Sequence, residues 1–201
     1  MAVRLVTESI WSKVTAAVRR KPRRCDVAVA YFSNGASELL PLREGSLLVV
    51  DMSERAVKAG QTRPKEVLKL INKGVAVHSV ANLHAKVFAL PDRAFVGSAN
   101  VSQNSANTLL EAVVEVTDEK AVEACRRFVK GLRGEPLTPE HVRNMEKLYE
   151  PPKFSHGGRT RSRVSKPLQP LHSPVWYVPL WREKWDAATQ KEESRGLREA
   201  K

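Results

Sequence analysis

Cysteine is scarce in this sequence: Cys25 and Cys125 are the only two among 201 residues. A fold stapled by disulfides needs more, and two thiols fit a reducing compartment. No run approaches the roughly 18 consecutive apolar residues that a membrane-spanning helix requires. The opening "MAVRLVTESIWSKV" lacks the unbroken apolar core of a secretory signal, because charges and hydroxyls interrupt it. These absences lead to the expectation of a cytoplasmic protein with no stable membrane association. Acid is short as well. There are 22 aspartates and glutamates against 34 lysines and arginines, a net charge of +12 with a pI near 10.0. Such a balance favours polyanionic partners, nucleic acid first and an anionic membrane surface second, unless the chain is simply a basic soluble protein.

What is present is an ordinary core. The apolar fraction of 42% is too high for general disorder. Apolar, β-rich runs occur at 25–33, 46–53 and 75–80, and helical patterns occur at 8–20 (with Thr7 as N-cap) and 64–73. "HAKVFAL" and "AFVGSAN" follow as a hairpin about Pro91, Asp92 and Arg93. "TLLEAVVEV" (108–116) reads as a further strand, then come a helix from "DEKAVEACRRFVKGL" and a last one capped by Thr138. Strands interleaved with helices predict an α/β fold, a mixed β-sheet flanked by helices on both faces. The predicted domain spans 1–150. Composition changes at 151–201, a basic linker rich in Pro, Gly, Ser and Arg followed by a Trp-rich C-terminal extension.

The chemistry concentrates in "NLHAKVFALPDRAFVGSAN", residues 82–100. His84 and Lys86 stand two apart in an extended run and share a face. Ser98 and Asn100 do the same directly after Gly97, whose missing side chain would let backbone approach a bound group. If the two strands pair, an imidazole, an ammonium, a hydroxyl and an amide converge. Three of these donate hydrogen bonds to an anion while His84 attacks it. Glu111 stands inside an apolar run, where a carboxylate needs a partner, and His84 is the most useful one. The set suits phosphoryl transfer.

These residues resemble the signature of the phospholipase D superfamily: His-x-Lys, an aspartate, then Gly-Ser/Thr-x-Asn and a later carboxylate. The resemblance covers 82–116 closely and "VAVAYFSNGASELL" more loosely. It implies His84 as nucleophile, Lys86, Ser98 and Asn100 as phosphate contacts, and Glu111 as the carboxylate that orients the histidine. The family's aspartate position is occupied by Pro91; Asp92 follows one later, in a connection one residue short. The resemblance further implies no metal and no cofactor. It also implies a homodimer, because single-motif members join two copies to bring two histidines to one phosphodiester. With the positive charge, the reading is a metal-independent nuclease acting through a phosphohistidine on nucleic acid, DNA ahead of RNA. The alternatives are a phospholipase or phosphatidyltransferase, and a catalytically silent nucleic-acid-binding protein.

Several residues carry two readings. Arg159, Arg161, Arg163 and Lys166 either grip phosphates or belong to a solvated linker. Trp176, Tyr177, Trp181 and Trp185 either pack against protein or stack on bases. Tyr31 and Ser33 line a cleft mouth or are incidental; Asp51 reads as a helix cap and His78 as structural or exposed.

Overall fold

The computed structural model describes residues 3–20, 24–132 and 134–151. They lie in the first of two units, Met1–Ser155. Arg159, Arg161, Arg163, Lys166 and the tail's tryptophans lie outside the described residues.

In chain order the elements are β1 (Val3–Val6), α1 (Ile10–Arg20), β2 (Asp26–Val29), α2 (Ala36–Leu39), β3 (Leu47–Val50), α3 (Glu54–Lys58) and α4 (Pro64–Ile71). Then come β4 (Ala76–Ser79), β5 (Lys86–Ala89), β6 (Ala94–Gly97), α5 (Gln103–Asn107), β7 (Val113–Val116), α6 (Glu119–Gly131), β8 (Glu135–Pro136) and α7 (Pro139–Glu146). The strands form one mixed sheet in the order β1-β7-β6-β5-β2-β3-β4-β8. β2, β3 and β4 run parallel. β5, β6, β7 and β1 pair antiparallel. The parallel centre explains the continuous apolar runs: every residue of β2 and β3 is buried, since both faces of the sheet are covered.

The larger core fills one face, where Trp11, Val14 and Val18 of α1, Val67 and Leu70 of α4, and Val142 and Met145 of α7 meet Phe88 and Phe95 of the hairpin. Trp11 and Phe88 touch edge to face, with ring centroids 5.6 Å apart, a geometry that contributes about 0.5–1.5 kcal/mol beyond burial. On the other face, Val129 of α6 packs on Ala28, Val49 and Val87. Helices therefore flank both faces, as expected.

Local signals set the boundaries. Pro64 opens α4, and the chain turns back at Gly74 with φ 78°. The Thr138 hydroxyl accepts the His141 N–H at the start of α7. Two expectations are corrected. α1 begins at Ile10, past Thr7, with the Ser9 carbonyl accepting the Lys13 N–H at 3.0 Å. The strand expected over 108–116 is confined to β7, and residues 109–112 form a loop. Its apolar pattern misleads because Leu109 and Leu110 point to solvent, 50% and 97% exposed. β1, α3, α5 and β8 carry no periodic signal long enough to be read in advance.

Candidate active site

The site forms where the sheet's strand ends meet. The carboxyl ends of β2, β3 and β6 and the amino ends of β5 and β7 lie along one edge, the place where open α/β sheets commonly hold ligands. Lys86 is the first residue of β5, and it pairs across β2 with Val29. Beyond that point the continuations of β2 and β6 bridge directly, Phe32 to Val101. The Val101 N–H donates to Tyr31 O at 3.1 Å and the Ser33 N–H to Val101 O at 3.0 Å. At this edge Lys86 is buried to 7% exposure.

Lys86 is the unusual group. Its Nζ donates to His84 O at 3.0 Å and lies 5.9 Å from the centroid of the Tyr31 ring. An ammonium carries three donors, and this is its one hydrogen bond among the described residues. Burial pushes its pKa below the ordinary lysine value, and the charge of Glu111 opposes only part of that shift. Asn100 stands half-buried just past β6, with its Oδ1 sealed from solvent and without a hydrogen-bond partner among the described residues. A buried unsatisfied oxygen costs on the order of 1–3 kcal/mol.

His84 differs from expectation in placement. It lies in the extended lead-in to β5 rather than within a strand, and it is exposed. Its ring has no hydrogen-bond partner among the described residues. Glu111 lies in the loop before β7 and does not bond His84. It accepts from Ser105 Oγ at 2.8 Å and from the Ser98 hydroxyl. Ser105 in turn accepts the Trp11 indole N–H at 3.3 Å, which ties the carboxylate to the core. Ser98 is engaged as well: its oxygen accepts the Ala112 N–H at 3.1 Å while its proton goes to Glu111. Within one chain, then, Ser98 and Glu111 hold each other. Glu111 acts on Lys86 through its charge.

Gly97 has a different reason from the one expected. A Cβ there would stand 2.2 Å from Ala112 O and 2.6 Å from Val113 Cα, so the close approach is that of β7's backbone. Asp92 sits in the turn at the far end of the hairpin, where the Leu90 N–H donates to Arg93 O at 2.8 Å. It pairs there with Arg93 and Arg20, so the shortened connection leaves the site untouched. The buried carboxylate of the apolar strand is Glu115, held by Arg4 and Arg93. Burial pushes its pKa up, but the two guanidiniums outweigh this and hold it below the usual range.

Asp51, 3% exposed, does more than cap a helix. One carboxylate oxygen accepts the Ser53 N–H at 3.0 Å and the other the Asn82 N–H at 2.9 Å. Asn82 is left-handed, φ 62°, and its turn aims the chain toward His84. His78 binds the Gly134 carbonyl, three strands from β5, about 14 Å at normal strand spacing. Among the described residues no three of His, Cys, Asp or Glu group as a metal cluster would.

A cleft of about 490 Å³ opens beside the site, with Tyr31 in its wall. Arg63, at the start of α4, and Tyr149, after α7, also line it. No local sequence pattern points to either, because each lies far along the chain from residues 82–116.

No family model matches the sequence, and no curated protein matches it. Solved structures do. Nuc from Salmonella typhimurium, a phospholipase D family member, superposes with a TM-score of 0.52 at 15% identity, covering 68% of this chain and 97% of that one. NucT from Helicobacter pylori superposes with a TM-score of 0.51 at 14% identity, covering 65% and 94%. The chain has the phospholipase D fold.

Proposed function

We propose that the chain is a phosphodiesterase that cleaves nucleic acid without a metal, working as a homodimer. One observation carries the reading: a buried ammonium with two donors unclaimed among the described residues donates its third to the His84 carbonyl, at the strand edge where the sequence also places Asn100. Lys86 and Asn100 bind non-bridging phosphate oxygens. His84 forms a bond to phosphorus as the bond to the leaving oxygen breaks, and that oxygen takes a proton from the His84 imidazole of the second copy. Water then attacks the phosphohistidine, giving up its proton to the same partner imidazole, and the free histidine returns. Glu111 supports the charge of Lys86.

The surface favours a second copy. Leu5 on β1 aligns through Val114 with Val96 on β6, so Leu5 (66% exposed) and Val96 (36%) share one sheet face. Leu109 and Leu110 lie next to Glu111. Exposed apolar groups grouped in this way mark interfaces. The net charge of +12 favours nucleic acid over lipid as the polyanion.

The test is cleavage of single- and double-stranded DNA and RNA in excess EDTA, with sedimentation of the same protein. Cutting by wild type, its loss in His84→Ala with binding kept, and a mass near twice 22.4 kDa are expected. Turnover of phospholipids with nucleic acids untouched replaces the reading by the lipid one. Equal binding by wild type and variant with no cutting leaves a binding module.

A further inference from the structure

The cleft beside the site has a composition that the phosphate chemistry does not require. Among the described residues that line it, Arg63 is the only charged one, and there is no carboxylate. Tyr31 and Tyr149 supply aromatic surface, while Asn34, Gln103 and Asn104 supply amides. The Arg63 guanidinium carbon lies 5.7 Å from the centroid of the Tyr149 ring, and one of its terminal nitrogens donates to Asn34 Oδ1 at 2.9 Å. The cation is therefore fixed against a ring before any ligand arrives. The Asn104 side chain has no hydrogen-bond partner among the described residues. Tyr31 links the cleft to the phosphate site, since the face of its ring meets Lys86.

The geometry points to this cleft as the seat of an unpaired nucleobase next to the scissile phosphate. Resting on the nuclease reading, it makes single-stranded nucleic acid the substrate class. A base is flat and uncharged, with donors and acceptors along its edges. It stacks on aromatic rings and guanidinium planes, and amides bond its edge. The volume of about 490 Å³ lies within the usual range for small-ligand sites, roughly 300–1,000 Å³. An acyl chain fits poorly, because the amides would lose water without regaining hydrogen bonds. A base inside a duplex is stacked on both sides and cannot enter.

The test compares adenosine 5′-monophosphate with ribose 5-phosphate, its base-free counterpart, by calorimetric titration of the full chain. Wild type should bind the nucleotide about tenfold more tightly, the size of one base–aromatic stack. Tyr149→Leu, which keeps apolar volume, should erase most of that preference and leave ribose 5-phosphate binding unchanged. Asn104→Ala, at a half-buried side chain with nothing to lose in the fold, should reduce it several-fold, and it decides alone if Tyr149→Leu unfolds. Equal affinity for the two phosphates, no binding of either, or variants that weaken both alike overturns the proposal. A base preference in a protein that cuts no nucleic acid keeps the cleft and removes the nuclease reading. Cutting without a base preference removes only the cleft.

Discussion

Replacing Lys86 by methionine keeps most of the side chain's length and removes its charge, and two effects of opposite sign should follow. The ammonium is 7% exposed and makes one hydrogen bond, to His84 O at 3.0 Å. Desolvation is the largest influence on it and Glu111 offsets only part, so its native pKa lies below the 10.5 of a free lysine. Below the native pKa the folded chain carries the full penalty of a buried charge. Between the native pKa and 10.5 the unfolded chain binds more protons than the folded one, so wild-type stability rises with pH across that window. Lys86→Met lacks both the penalty and the rise. Near neutral pH it should exceed wild type in stability by about 1 kcal/mol, the low end for replacing buried charges by apolar groups. That advantage should shrink as pH climbs toward 10.5. Denaturant unfolding at a series of pH values reads this directly. Cleavage should fall by about 10²–10³-fold, as when one oxyanion donor is removed. A variant less stable than wild type by more than about 1 kcal/mol refutes the buried-cation account, as does a gain that ignores pH. Undiminished cleavage refutes the role in phosphate binding.

Gly97→Ala should cost at least about 2–3 kcal/mol, because its Cβ would collide with backbone 2.2 Å away that cannot yield as a side chain would; unfolding midpoints within 1 kcal/mol of wild type would contradict this. Asp51→Ala strands two backbone donors, Ser53 N–H and Asn82 N–H, and should cost about 1–3 kcal/mol. It should also lower cleavage beyond any effect on substrate binding, since the turn leading to His84 loses its anchor; a drop in stability with kcat intact would limit Asp51 to the fold. Cys25, 1% exposed, has its pKa pushed up to about 11 by burial, then by Asp26, against the lowering influence of Arg126. It should resist alkylation at pH 8 in the native protein and react once unfolded, which mass spectrometry of labelled peptides will show.

The residue types of the site were legible because they lie within one hairpin and its flanks. His84, Lys86, Gly97, Ser98 and Asn100 fall in 17 consecutive positions (84–100), where pairing register alone brings strand ends together. The alternation of β- and α-patterned segments likewise gave the mixed sheet with helices on both faces, since buried parallel strands leave continuous apolar runs. Glu111 lies in a loop rather than a strand, and within one chain it bonds serines rather than His84, for one reason. An exposed Leu-Leu pair imitates a core strand, and the carboxylate's partners, Ser98 and Ser105, are chosen by how α5 folds back on β6.

The sequence by itself determined which residues stand at the strand ends of this hairpin, because covalent proximity and strand pairing are local. Only the tertiary structure decided that Lys86 would be buried against the Tyr31 ring, that the backbone of β7 demands Gly97, and that Arg63 and Tyr149 would share a cleft with Tyr31. Those outcomes depend on contacts between residues tens of positions apart. Their joint cost in chain entropy is met by the whole core at once, and no short stretch records it.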